Sequence, residues 1–488
     1  MANATYVYSV DWSGDGTFTG NGENVTARVM STPAVTVRYG RDQSRALAPI
    51  TPGSAAFELD NTSRDYSPEN GSSPLVGLIA PARESRIVAT LSGVSYTLWR
   101  GHLDEFDIDA TPGDRRLKVT NIDVLADLNS STISTPIFTG IRTGTAINNI
   151  LDALGWTGGR DIDPGSTVIP YWWEEGTNAW DAILKVIHSE GPPAFVAVDA
   201  ATGAFLYRDR AHRLVRTASK AVQTTFRDKG SDPRFSWPLG YDAGWRDVIN
   251  SVTFNVATRV PTDPAVVWKS ETPIDLGPRE SRNVIMKTDS PLLKLSYLKW
   301  DPTGNGAFAV AWSRISGEAS AVTLTETAGG VARIDGLQMV GTLIPVSVTT
   351  QVKVEDSASI AKYGRKTYPN DAPWADVNDA TAVANLVTIK RSERLPIASV
   401  RLTGGTEAIL SQQLARDLSD LVMVVDAETG LNDPFYIEQI QHSISGGGAG
   451  NRMLETVFGC EKVGPATDDP ATVFTFDSSA FDVGTFGY

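Results

Sequence analysis

Cysteine, histidine, cations and long apolar runs are all scarce in this chain of 488 residues. The single cysteine, Cys460, excludes an intramolecular disulfide and any multi-cysteine zinc site. No stretch approaches the ~20 consecutive apolar residues of a membrane-spanning helix. Met1 to Val10 carries neither a basic region nor an apolar core, so no secretory signal is expected there. The four histidines, His102, His188, His212 and His442, never fall at the HExxH or HxH spacing that points two imidazoles at one metal. Equally missing are a GxSxG elbow, a Walker loop and a GxGxxG on a strand-to-helix turn. The absence of heptads, collagen-like triplets and short-period repeats weighs against a fibre. Lys and Arg number 43 against 57 Asp and Glu, for a net charge of -14, a balance that argues against gripping nucleic-acid phosphates.

What is present is 41% hydrophobic residues in a chain long enough for about three domains. The first 130 or so residues read as antiparallel β. Val25, Ala27 and Val29 alternate with polar neighbours, as do Val35, Val37 and Tyr39. Arg86–Leu91 and Tyr96–Trp99 flank Ser92-Gly93 as a hairpin, and Phe106–Ile108 and Leu117–Val119 flank Thr111–Asp114 as another. The period then changes. Thr143 is the expected cap of a helix carrying Ile147, Ile150, Leu151 and Leu154 and stopping at Gly155. A second helix is expected from about Thr177 to Gly191, followed by a hairpin of Phe195–Val198 and Phe205–Tyr207. From 245 to 350 β patterning returns, with Val252–Val256 and Val322–Thr325 among the alternating runs. Later helices are expected over Ala380–Leu386 and, behind Thr406, over Ile409–Leu418. Strands follow at Leu421–Val425, Phe435–Ile440 and Met453–Val457, the last reached through glycines 446–448.

Candidates for chemistry are few. Asp11-Trp12-Ser13-Gly14-Asp15-Gly16 resembles the start of a calcium loop. The twelfth position is Gly22, however, where a bidentate carboxylate is needed, so a polar β-turn is expected. Asp104-Glu105, Glu174-Glu175 and Asp468-Asp469 are paired acids. Neighbours along a strand point to opposite faces, so solvated charge is the plainer reading. Trp172-Trp173 follows Pro170-Tyr171; sugar stacking is one reading, core or subunit-interface packing the other and better one. Cys460 reads as a buried inert thiol. Pro465 to Tyr488 has no lysine or arginine and spaces Phe474, Phe476, Phe481 and Phe486 among small and acidic residues, which reads as an extended arm that docks on a neighbouring subunit or the next protein.

A series of short motifs carries a family resemblance. Tyr39-Gly40-Arg41-Asp42, Gly53–Asn61, Asp65–Asn70 and Tyr96–Asp104 resemble the N-terminal domain of minor tail proteins of the baseplate-hub type from long-tailed bacteriophages. Ile150–Trp156, Ala179–Gly191 and Tyr207–Arg210 are similar to that family's middle domain. Asp356-Ser357, Tyr363–Arg365, Leu395-Pro396 and Phe435–Ile437 with His442 resemble its closing barrel. Residues 260–350 match no part of the family pattern. The resemblance implies a mainly β chain with α/β parts (α+β): two tail-tube-like β-barrels plus smaller α/β and β domains. The expected parts are an N-terminal barrel (1–135), a small α/β domain (136–215), a β-rich region with a possible insertion (216–350), a closing barrel (351–463) and the docking arm (464–488). It further implies a virion structural protein of a siphovirus-like tail tip, a homotrimer contacting the tail-tube or distal tail protein, the tape-measure protein and other tip proteins. Genomic DNA would pass through its acidic lumen without specific binding. No catalytic residue, cofactor, metal or membrane span is expected. The competing expectations are a tail-associated cell-wall or glycan-degrading enzyme and a receptor- or carbohydrate-binding tail protein.

Overall fold

The computed structural model describes residues 3–41, 47, 51–111, 114–301, 306–370, 373–446 and 452–464. Six strands form the N-terminal part: β1 (Thr5–Val10), β2 (Val35–Gly40), β3 (Ser54–Asp60), β4 (Glu84–Leu91), β5 (Val94–Thr111) and β6 (Asp114–Ile122). Along β4 half-buried and buried residues alternate without a break, so Ile87, Ala89 and Leu91 enter the core while their neighbours lie on the other face. Ser92 and Gly93 close the β4–β5 hairpin at φ of 50° and 85°, the left-handed pair that suits the twist of a two-residue turn.

Six further strands come from the second half: β7 (Thr224–Arg227), β8 (Gly240–Asp242), β9 (Ile397–Thr403), β10 (Leu421–Asp426), β11 (Leu431–Ser445) and β12 (Met453–Lys462). All twelve share one sheet in the order β1-β4-β5-β6-β3-β2-β11-β12-β9-β8. β10 pairs with β11, and β7 runs parallel to β10. The seam between the halves is β2 against β11, antiparallel from Val35 opposite Ile444 to Gly40 opposite Gln439. The strands expected of two barrels thus form one continuous path whose ends, among the described residues, are β1 and β8.

Each half keeps its own core. Tyr8, Trp12, Phe57, Ile87 and Leu117 fill the first, and Phe226, Val400, Val424, Phe435 and Phe458 the second. The helix Glu407–Ala415 lies between them, with Leu410 and Leu414 in the first core and Ile409 in the second. Thr406 caps it as expected, accepting from the Ile409 amide at 3.3 Å. It stops before Leu418 because the amides of Asp417 and Leu418 turn to carboxylates, Asp420 Oδ2 at 3.1 Å and Asp417 Oδ1 at 2.7 Å.

The small α/β part holds the helices Thr143–Ala153 and Ala179–Glu190 against the strands Phe138–Arg142 and Val168–Trp172, with the expected hairpin Phe195–Val198 and Phe205–Arg208. One start signal was misread. Thr143 is the first helical residue and not the cap, because its hydroxyl donates to Glu190 Oε2 at 2.7 Å. Asn178 caps the second helix, accepting from the Trp180 and Asp181 amides. The region that matched no motif has two sheets sharing a core of Leu276, Met286, Val322, Leu324, Ile334 and Met339. The helix expected over Ala380–Leu386 runs the whole of Val377–Arg391 behind an Asp376 cap and lays Ala380, Val383, Ala384 and Val387 on the strand Ser251–Arg259 and its neighbours.

Candidate functional site

The three β and α/β parts meet around a cavity of about 350 Å³. Tyr39, Tyr96 and Trp99 enter from the N-terminal half, Phe195 and Arg208 from the small α/β part, and Arg416 from the turn after the helix Glu407–Ala415. Several of its charged groups are paired with neighbours. Arg208 meets Asp161 and Asp163, Arg216 reaches Asp420 at 3.0 Å, and His212 Nδ1 lies 3.0 Å from Asp163 Oδ2. Burial raises the Asp420 carboxyl, with Arg216 and the Asp417 amide working against it. Carboxylates held this way position loops, whereas glycoside cleavage needs two acids facing each other across a cleft.

Behind the cavity lie buried ion pairs. Arg213 Nη2 donates to Glu438 at 2.5 Å, and Arg391 Nη2 to Glu461 at 2.6 Å. Burial works to raise the Glu461 carboxyl, but Arg391 and Lys390 outweigh it and hold it below the usual carboxylate range. Arg41 Nη2, at the end of β2, donates to the carbonyls of Pro193 and Ala194 at 3.4 and 3.1 Å, tying the N-terminal half to the small domain's hairpin. Among the described residues, Nε and Nη1 of Arg391 and Nε of Arg41 find no acceptor. None of these roles was read from the sequence; a glutamate inside the apolar run Phe435–Ile440 is the one trace, and it names no partner.

The loop after β1 does gather acids. Asp11, Asp15 and Glu23 bring carboxylate oxygens within 4.8 Å of one another, so the acid lacking at Gly22 comes from the next residue. Asp11 Oδ1 accepts from Ser13 Oγ, the Gly14 amide at 2.6 Å and the Asp15 amide, and Oδ2 from the Gly16 amide at 2.8 Å. Glu23 accepts from Ser13 and from the Gly20 amide at 2.6 Å. Burial pushes the Asp11 carboxyl up, but the Gly16 and Gly14 amides outweigh it and leave it below the ordinary value. These hydrogen bonds to its own loop's donors close the turn.

The other candidates scatter. His442 is fully buried between β2 and β12, Nδ1 sits 2.9 Å from Thr456 Oγ1, and burial lowers its pKa to about 4. His102 lies on β5, and His188 in the last turn of Ala179–Glu190. Cys460 is buried on β12, where burial pushes the thiol up. Trp172 and Trp173 are core residues. Trp173 meets Trp374 edge-on at 5.1 Å and lies under the Arg259 guanidinium, so neither indole offers a face to a sugar. Glu174 takes Lys185 at 3.1 Å; Glu175 lies by Glu318, whose carboxyl is raised by burial and then by Glu175. Asp104 and Glu105 are exposed. Asp468, Asp469 and the four arm phenylalanines, Phe474, Phe476, Phe481 and Phe486, lie outside the described residues, as do Gly447 and Gly448.

No protein-family model matches this chain, and no curated protein matches it in sequence. Solved structures do. The 43 kDa tail protein of prophage MuSo2 from Shewanella oneidensis is 12% identical with a TM-score of 0.49, over 96% of this chain and 99% of that one. A tail protein from Neisseria meningitidis MC58 is 10% identical with a TM-score of 0.48, over 93% and 96%. Prophage tail protein gp18 from Listeria monocytogenes EGD-e is 9% identical with a TM-score of 0.45, over 93% and 94%. All three are described as tail proteins, and the chain is also similar to E. coli c3393, a component of the type VI secretion system, at 8% identity with a TM-score of 0.40 over 93% of this chain and 76% of that one.

Proposed function

We propose that this protein is the structural hub of a phage tail tip, a non-enzymatic virion protein joining the tail tube or distal tail ring to the host-facing tip. The observation that carries the reading is the β2–β11 seam, which joins an N-terminal and a C-terminal β unit, each around its own core, in one chain. Of the hub family's motifs, Tyr39-Gly40 lies on β2, Gly53–Asn61 largely on β3, Tyr96–Asp104 on β5, and Phe435–Ile437 with His442 on β11. Three such chains supply six β units to a ring, which matches a hexameric tube above and leaves three-fold symmetry below. In this reading 1–135, and 351–463 together with β7 and β8, are the ring-forming units, 136–215 and the rest of 216–350 decorate them, and 464–488 docks through its phenylalanines. The net charge of -14 suits a lumen that DNA slides past, because like charges repel within the short screening length of physiological salt. The test is the mass of the purified protein by native mass spectrometry, where a trimer is expected and a stable hexamer contradicts the reading. A cell-wall or glycan-degrading enzyme is the alternative that turnover of purified cell walls by the same sample would favour.

A further inference from the structure

The strands Val168–Trp172 and Ser251–Arg259 and the start of the helix Val377–Arg391 leave a pocket of about 260 Å³ between them. Tyr171, Val256, Pro373 and Val377 give it apolar walls, and Arg259 and Trp374 bring donors to it. Trp374 is 9% exposed and packed edge-on against Trp173, and among the described residues its Nε1–H has no acceptor. A buried N–H left unpaired is costly, and few native ones stay so without a reason.

Arg259 is likewise uncompensated. Its Nη1 donates to the Ile344 carbonyl at 3.1 Å and its guanidinium lies 4.5 Å from the Trp173 ring centroid, yet no carboxylate among the described residues pairs with it. Burial lowers its pKa against the weaker pull of Glu318. The helix start is the third source of donors. Asp376 takes the Asp379 amide at 2.7 Å, and the Ala380 amide bonds the Asp376 carbonyl at 2.9 Å. Among the described residues this leaves the Val377 and Asn378 amides without an acceptor, at the positive end of the helix dipole. Against these donors stands one lining carboxylate, Asp376, which is turned to the Asp379 amide.

We propose that this pocket binds a small carboxylate with an apolar body, the carboxylate held by Arg259, the Trp374 Nε1–H and the helix-start amides, and the body by Tyr171, Val256 and Val377. A guanidinium fork and an indole N–H both suit the in-plane oxygens of a carboxylate. A single negative charge matches the one unpaired cation, whereas a doubly charged oxyanion meets Asp376 and apolar walls that desolvate it without return. The volume lies below the roughly 300–1,000 Å³ that hold drug-sized ligands, so the ligand is about the size of one amino-acid residue. A free organic acid and the C-terminal residue of a polypeptide share this chemistry. The site goes beyond the hub reading and does not depend on it.

The test is calorimetric and ligand-observed NMR titration of the full chain with N-acetyl-leucine, its primary amide and inorganic phosphate. The acid is expected to bind once per chain with a Kd on the order of millimolar, as its dozen or so heavy atoms allow. The amide and phosphate are expected to bind about tenfold more weakly. Arg259→Gln is expected to weaken the acid about tenfold or more, with Arg259→Lys recovering part of the loss, and Trp374→Phe about fivefold. Should Arg259→Gln fail to fold, the contrast of acid with amide and the Trp374→Phe variant still decide. No binding of the acid at tens of millimolar, an amide or phosphate that binds as tightly, or an affinity unchanged by the variants would each overturn the proposal. A short peptide ending in leucine with a free carboxylate separates the sources: tighter binding than N-acetyl-leucine assigns the site to a chain end, weaker binding to a free acid.

Discussion

In the N-terminal half, the buried carboxylates Asp11 and Glu23 accept only from groups within ten residues of themselves. In the second half, Glu438 and Glu461 meet arginines 225 and 70 residues away. The first arrangement is complete once its own loop closes. The second exists only when strands, helices and the small α/β part have come together. The Asp11 and Glu23 carboxylates therefore report local turn formation, and the Glu438 and Glu461 carboxylates the assembly of distant segments.

The comparison breaks most sharply at Glu461. Glu461→Leu leaves the Arg391 guanidinium buried without its carboxylate and is expected to cost about 3–5 kcal/mol in urea denaturation. Replacing both partners, as Arg391→Met with Glu461→Leu, is expected to recover most of that loss, since a well-packed apolar pair avoids the desolvation. If the double variant is as unstable as the single, the pair is not an isolated staple.

Acid should act next most strongly, and on the seam between the halves. His442 is held neutral with a pKa of about 4 against an ordinary 6.5. As pH falls the unfolded chain takes up this proton first, so its contribution is intact above about pH 6.5 and is lost down to about pH 4, by about 3 kcal/mol. His442→Gln is expected to flatten that part of the stability–pH curve; equal slopes for variant and parent would show that other groups set it. The smallest effect belongs to the local loop. Asp11→Ala frees amides that water partly reaches, and a loss of about 1–2 kcal/mol in thermal unfolding is expected, with the second half unaffected.

Legibility followed the same division. The β4–β5 hairpin, the Thr406 cap and the burial of Trp172 and Cys460 stood in the sequence because short-range patterns determine them. Thr143 misled as a cap because a distant group, Glu190, claimed its hydroxyl. The acid of the Asp11 loop was looked for one residue early, a spacing inherited from a different loop geometry. The full length of Val377–Arg391 went unread because its outer face carries almost no polar contrast. The buried arginine–glutamate pairs had no sequence trace that named a partner, since strand register brought them together. The single path through β2 and β11 was likewise a matter of register, not of local pattern.

The hub reading stands or falls on where the chain sits in an assembled particle. Electron-microscopic reconstruction of the tail tip is expected to show three copies of this chain forming a ring at the distal end of the tube, with the β1–β6 and β7–β12 units alternating around it. Six copies in a ring, or a position along a fibre, would contradict the account.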